Sequence, residues 1–373
     1  MKKILIVVGT RPNFIKITRF HAVLSQFPNL EMKVVHTGQH YDDKMSNIFF
    51  TQFGFQPDFW LNVSSGSPAA RMGEIITKLE KLLRDTYEAD CVMVVGDVDS
   101  TLAAAITAHK MGKTLVHLES GLRSFDRGMP EENNRILTDE ITDHYFVTEE
   151  SGVKHLQVAG KADQHIHMVG NTMIDTLVNF DEDIQKSKIL EELTISPQEF
   201  VLMTMHRPAT VDFKEGLEKL LKILTRVSEL RPIIFPIHPR TRARFESFGL
   251  MDELKALKKV VLADPMGYFS FQKLIHSCKY VLTDSGGIQE ETTFRRVPCL
   301  TLRPNTERPS TVDLGTNTLV PFDVDIILGL VDQIESGTYK SGEIPPLWDG
   351  HATERIVSVL SEILTDQKLA IQS

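Results

Sequence analysis

The chain has 373 residues, with 41 Lys and Arg against 50 Asp and Glu for a formal net charge of −9, and 42% hydrophobic and 24% charged content. At roughly 100–200 residues per domain this length predicts two domains, and so ordinary a composition excludes disordered, collagen-like and coiled-coil chains. The acidic balance, with a pI near 5.8, argues against broad nucleic-acid or anionic-membrane binding, so any phosphate site must be a local basic pocket.

Met1-Lys2-Lys3 leads into the short apolar run Ile4–Val8, closed by Gly9-Thr10-Arg11-Pro12. That run is too brief for a signal-peptide core and predicts a first strand. Lys33–His36, Cys91–Val95, Thr114–Leu118 and His144–Val147 predict further strands, each ending in a turn residue or polar cluster. In Arg71–Asp85, Ile75, Ile76, Leu79, Leu82 and Leu83 have the spacing of a helix packed on a sheet. After about Gly170-Asn171 the rhythm restarts, with strands at Val201–Met205, Ile233–Ile237, Val260–Leu262, Tyr280–Thr283 and Cys299–Leu302 and helices at Gly216–Leu230 and Tyr268–Ser277. A Pro/Gly-rich connection from Gly342 to Gly350 precedes a final amphipathic helix carrying Ile356, Val359, Leu360, Ile363 and Leu364. Such alternation implies an α/β fold of parallel strands with helices on both faces, here two Rossmann-like domains with a cleft between them. Cys91, Cys278 and Cys299 form no C-x-x-C pair or zinc spacing, and no run approaches the ~18 apolar residues of a membrane span. The expected compartment is therefore reducing, the cytoplasm.

In open α/β sheets ligands sit beyond the carboxyl ends of the strands, so the residues that follow each strand are the candidates. After the first strand, Thr10 can cap a helix, Pro12 suits its first turn, and Arg11 and Lys16 are either solvated cations or an anion site at the helix N-terminus. Farther on, Thr283-Asp284-Ser285-Gly286-Gly287 runs from a strand into a helix and offers free backbone N–H groups to a pyrophosphate. Glu291, one turn on, can accept hydrogen bonds from two ribose hydroxyls or belong to a solvated Glu-Glu pair, and Arg308 after the next strand can meet the same anion. Acid–base candidates are Asp97 and Glu119 at strand ends and Glu131 at a helix start; three neighbouring carboxylates would repel and place a protonated acid beside an ionised base. His206 and His238 also end strands, and beside a pyrophosphate His206 can serve a leaving phosphate as cation or proton donor.

Taken in order, Gly9-Thr10-Arg11-Pro12, Thr37-Gly38-Gln39-His40, Gly96-Asp97, His117-Leu118-Glu119-Ser120-Gly121-Leu122-Arg123, Pro130-Glu131-Glu132-Asn133-Asn134-Arg135, Met205-His206-Arg207, Leu282 to Glu291 and Thr306-Glu307-Arg308-Pro309 span nearly the whole chain. This set resembles the non-hydrolysing UDP-N-acetylglucosamine 2-epimerases. The resemblance implies a GT-B-type fold with one domain over 1–170 plus 352–373, a UDP-binding domain over 171–351, and a homodimer. It also implies interconversion of UDP-N-acetylglucosamine and UDP-N-acetylmannosamine through an enzyme-held 2-acetamidoglucal, without metal or nicotinamide, for surface polysaccharide precursors. By motif, Asp97, Glu119 and Glu131 become the catalytic carboxylates and His206 the group assisting the pyrophosphate. Arg11, Lys16, Arg135, Ser285, Gly286, Gly287, Glu291 and Arg308 become substrate and UDP contacts.

The sequence also departs from the family. Where many relatives carry a His-Arg-Arg-Glu-Asn run in an activating site, this chain reads His206-Arg207-Pro208-Ala209-Thr210-Val211-Asp212, and Tyr41-Asp42-Asp43 replaces a more basic segment. With fewer cations to separate two diphosphates, no obligatory activation by UDP-N-acetylglucosamine is expected. Relatives acting on UDP-2,3-diacetamido sugars or their uronic acids share most of these motifs, which leaves the C3 and C6 substituents open. A GT-B glycosyltransferase and a non-catalytic nucleotide-sugar sensor are the competing classes, and neither has the same need for these three carboxylates.

Overall fold

The computed structural model describes residues 1–38 and 51–370, so Gln39-His40 and Tyr41-Asp42-Asp43 lie outside the described residues. The chain divides into two compact units, Met1–Asn179 with Pro346–Ser373, and Phe180–Pro345.

In the first unit β1 (Lys2–Val8), β2 (Leu30–His36), β3 (Phe59–Trp60), β4 (Cys91–Val95), β5 (Thr114–Leu118), β6 (His144–Val147) and β7 (Ile166–Met168) form one sheet in the order 3-2-1-4-5-6-7, all neighbours parallel. Its principal helices are α1 (Arg11–Ile15), α2 (Phe20–Leu24), α3 (Pro68–Asp85), α4 (Asp99–Lys110), α5 (Pro130–Ile141), α6 (Glu150–Val158) and α7 (Thr172–Asn179). Ile75, Leu79 and Leu83 of α3 pack on Leu5, Val7, Val92 and Val94, the stripe expected from their spacing. The helix starts ahead of Arg71 because the Ser67 hydroxyl accepts from the Ala70 N–H and Pro68 fits the first turn.

In the second unit β8 (Val201–Thr204), β9 (Ile233–Pro236), β10 (Val260–Ala263), β11 (Tyr280–Thr283), β12 (Cys299–Thr301) and β13 (Asn317–Leu319) form a parallel sheet in the order 10-9-8-11-12-13. Its main helices are α8 (Lys214–Leu230), α9 (Pro239–Ser247), α10 (Tyr268–Ser277), α11 (Gly287–Arg295) and α12 (Val324–Glu335). Val201 and Met203 join one core and Leu202 the other, and Ile233, Phe235 and Ile234 divide the same way. Both faces of each strand are therefore buried, so the sequence shows continuous apolar runs rather than alternation.

Residues 171–179, assigned to the second domain by the restarting rhythm, pack instead in the first unit as α7. Asp175 of that helix is buried and accepts from the N–H groups of Ala352 at 3.0 Å and Thr353 at 2.6 Å. It thereby caps α13 (Ala352–Ala370), which packs against α2 and α7. Trp348, also in the first unit, donates from Nε1 to the Thr148 carbonyl at 3.1 Å. Among the described residues no helix is long and apolar enough to cross a membrane, and all three cysteines are buried as free thiols.

Candidate functional site

Each sheet reverses its strand order once, between β1 and β4 in the first unit and between β8 and β11 in the second. These are the switch points at which connections run off in opposite directions and leave a crevice beyond the strand ends. The sequence candidates fall on both.

At the first switch point Asn13 of α1 donates from Nδ2 to the Val95 carbonyl at 3.1 Å, joining the ends of β1 and β4. Thr10 occupies the N-cap position, but its hydroxyl donates to Asn13 Oδ1 at 2.9 Å and caps no backbone group. Pro12 sits in the first turn as expected, and Arg11 is exposed. Lys16 is not a solvated cation: it is buried and its Nζ pairs with Glu119 Oε2. Glu119 follows β5 with φ 73°, a region few non-glycine residues occupy, and such strain concentrates at functional sites. Gly96 allows the close approach. A Cβ there would lie 3.1 Å from Asn13 Nδ2, 3.4 Å from Glu119 Oε2 and 3.5 Å from Lys16 Nζ.

Asp97, next along, accepts from Arg135 Nη2 at 2.5 Å, and Arg135 Nη1 donates to Glu132 at 2.8 Å. Arg135 is thus committed to two carboxylates of its own chain. Where the linear reading expects three carboxylates set against one another, the structure gives two of them a cation each. It also separates the neighbours Glu131 and Glu132. Glu132 is buried and accepts from the Ser124 N–H and hydroxyl and the Phe125 N–H. Burial pushes its carboxyl up, but those bonds and Arg135 outweigh burial and hold it below the ordinary range. Glu131, in the first turn of α5, is half-buried, and its carboxylate makes no ion pair or hydrogen bond among the described residues.

A support for these strand ends escaped the sequence reading. The fully buried His117 ring hydrogen-bonds Asp139 through Nδ1 at 2.7 Å and the Gly96 carbonyl through Nε2 at 2.8 Å. Asp139 also pairs with Arg123 at 2.7 Å and accepts from the Gly121 N–H at 3.1 Å. Burial raises its carboxyl, but His117 and Arg123 more than offset this and keep it below its ordinary value. Asp139 lies mid-helix in α5, away from any strand end, so no linear signal marked it.

At the second switch point β8 ends in His206 and β11 in Asp284. Asp284 is fully buried, accepts from the N–H groups of His206 at 2.9 Å and Arg207 at 2.8 Å, and faces His206 Nδ1 at 2.8 Å. Burial pushes this carboxyl up, yet the bonds and charge of His206 and the backbone donors leave it depressed. His206 is thus oriented by Asp284 through Nδ1, with its side chain 40% exposed. The strand-end rule marks Asp284 too, but only the fold shows what it grips. His238 is structural, its Nδ1 accepting from the Arg240 N–H as the cap of α9.

Beyond Asp284, the Ser285 N–H is committed to Thr283 Oγ1 at 3.0 Å, which leaves the first amides of α11, from Gly286 and Gly287, for a ligand. The solvated Glu-Glu pair is excluded because Glu290 and Glu291 are 1% and 5% exposed. Burial lifts the Glu291 carboxyl to about 8, a rise only partly opposed by Gln272 and Arg295, so it carries a proton at neutral pH. Arg308 is not a spare guanidinium. Its Nε lies 2.8 Å from Glu290 Oε2 and its Nη1 2.5 Å from Glu307 Oε1. Asp212, read as a missing cation, gathers two: Arg240 at 2.5 Å and Arg244 at 3.0 Å. That corner is therefore more basic than its linear sequence indicates. Among the described residues no group of three or more His, Cys, Asp or Glu is placed to hold a metal ion.

The family model for UDP-N-acetylglucosamine 2-epimerase matches residues 22–361. The UDP-N-acetylglucosamine 2-epimerase of Methanocaldococcus jannaschii is 37% identical over 96% of this chain and 99% of its own. Its crystal structure in complex with UDP-GlcNAc and UDP superposes with a TM-score of 0.87 over 96% of this chain and 99% of that one. The UDP-2,3-diacetamido-2,3-dideoxy-D-glucuronate 2-epimerase of Pseudomonas aeruginosa is 34% identical over 97% of this chain and 100% of its own. Two Rossmann-like units with paired carboxylates at one switch point and an aspartate-gripped histidine at the other, together with full-length likeness to these enzymes, make the chain a member of the UDP-N-acetylglucosamine 2-epimerase family.

Proposed function

We propose that the protein interconverts UDP-N-acetylglucosamine and UDP-N-acetylmannosamine. A carboxylate of the first unit takes the C2 proton while the C1–O bond to UDP breaks, leaving 2-acetamidoglucal. UDP then adds back at C1, and a second group delivers a proton to the opposite face of C2. The observation that carries this reading is the placement of Asp97 and Glu119, each beside its own cation, at the ends of the paired strands β4 and β5. Acid–base exchange at carbon needs two groups of unlike environment, and Glu131, at the start of α5 and without an ion pair among the described residues, supplies a third. In the second unit, the amides of α11 and a histidine oriented by Asp284 suit the charge that develops on departing UDP. Arg11 and Ser285 fit as further UDP contacts. No metal or nicotinamide enters this scheme. From its cysteine usage we place the enzyme in the cytoplasm, and, as the family resemblance implies, as a homodimer that supplies surface polysaccharide precursors.

Incubation with UDP-N-acetylglucosamine in deuterated water tests the scheme. Proton NMR should show the manno epimer appearing with deuterium at C2, at a rate unaffected by chelator. A product that retains protium at C2 sinks the mechanism. The likeness to the diacetamido-uronate enzyme favours a second substrate, and turnover of a UDP-2,3-diacetamido uronic acid in place of UDP-N-acetylglucosamine would establish it.

A further inference from the structure

The second unit holds a buried four-member charge cluster against the first turn of α11. Glu307 uses one oxygen for each of two arginines, Oε1 for Arg308 Nη1 at 2.5 Å and Oε2 for Arg303 Nη2 at 3.2 Å, while Glu290 takes Arg308 Nε at 2.8 Å. Arg303 is only 3% exposed, and its other terminal nitrogen, Nη1, is buried with no hydrogen-bond partner among the described residues. A guanidinium N–H without a partner keeps its full desolvation penalty, so its position calls for a ligand. It points at the helix start. A Cβ on Gly286, the N-cap of α11, would lie 3.6 Å from Arg303 Nη1, 3.3 Å from Arg308 Nη1 and 3.0 Å from Glu307 Oε1. Gly286 has an ordinary φ of −71°, so the glycine is there for space and not for backbone freedom.

We propose that Arg303, through Nη1, is a further guanidinium that meets the diphosphate at the N-terminus of α11, beside Arg308. The assignment rests on the UDP-sugar reading above. Among the described residues two arginines and two glutamates balance in the cluster, so the attraction for an anion comes from the α11 amides, from Arg207 close by, and from the Nη1 N–H pair of Arg303. Burial, with Arg207 and Arg308 adding to it, works against the Arg303 charge more than Glu307 supports it, which a bound diphosphate would reverse. Glu307, whose Oε1 lies near the same space, limits how tightly the diphosphate is held, a useful property where UDP must leave C1 and return.

Calorimetric titration of the purified protein with UDP and with uridine tests this. Arg303→Lys keeps a cation for Glu307 but loses the forked nitrogen. The UDP dissociation constant should rise about tenfold or more while uridine binding stays within about twofold. A merely structural Arg303 would weaken both ligands together. The double variant Arg303→Met with Glu307→Gln, which removes both charges and leaves no orphaned ion, should show the same selective loss. The proposal is overturned if either folded variant discriminates UDP from uridine as the wild type does. If the wild-type protein itself does not prefer UDP to uridine, the UDP-sugar reading fails first and this assignment with it.

Discussion

Glu291→Gln separates the structural from the binding role of the acid in the middle of α11. A rise of its carboxyl from an ordinary 4.5 to about 8 corresponds, at about 1.4 kcal/mol per unit, to roughly 5 kcal/mol. The sign follows from linkage: the folded chain holds this proton more tightly than the unfolded chain. Below about pH 4.5 both states are protonated and glutamine is a close match. Between about 4.5 and 8 the unfolded chain ionises while the folded one does not, so wild-type stability falls with pH, and above about 8 the loss levels off. The variant lacks this loss. Urea unfolding at pH 5 and pH 8.5 should give nearly equal stabilities at the lower pH and a variant more stable by several kcal/mol at the higher. A stability difference that does not change with pH refutes the argument that burial governs this carboxyl. Binding supplies a second reading of the same proton. If Glu291 holds both ribose hydroxyls as a carboxylate it ionises as UDP binds, so calorimetry at pH 7 in two buffers of different ionisation enthalpy should register nearly one proton released per UDP. No release would mean that Glu291 does not meet the ribose as a carboxylate.

Asp97→Asn, Glu119→Gln and Glu131→Gln each keep side-chain shape but remove proton transfer, so turnover should fall about 100-fold or more while UDP affinity changes little. Near-normal turnover in all three would return them to caps and ion-pair partners. Asp284→Asn presents an amide where His206 and two backbone N–H groups need an oxygen. It should lower the melting temperature and cut kcat about 100-fold, and loss of affinity for uridine alone would count against an orienting role.

Local chemistry wrote most of the fold into the sequence. The runs Cys91–Val95, Thr114–Leu118, His144–Val147 and Tyr280–Thr283 have the bounds of their strands because β-branched and apolar residues buried on both faces leave no other reading. Strands β3, β7 and β13 have only two or three residues, too few to set a period, and exist because a neighbouring edge offers them a ladder. The rule that function follows strand ends marked Asp97, Glu119, His206 and Ser285. What a strand-end residue touches was beyond that rule.

Arg308 and Lys16 look alike in the sequence, cations after a strand and ready for an anion, and in the fold each is committed to buried carboxylates. Arg303, not singled out in the sequence, keeps an uncommitted N–H pair. Asp139 and Asp284 became supports only when β5 met α5 and β11 met β8. Composition, periodicity and turn chemistry act over a few residues, so the sequence by itself determined the longer elements, the parallel character of the sheets and the positions where chemistry could sit. Charge pairing and desolvation depend on distances between residues far apart in the chain. Only the tertiary structure decided which ionisable group is satisfied, which holds its proton, and which is left to meet a substrate.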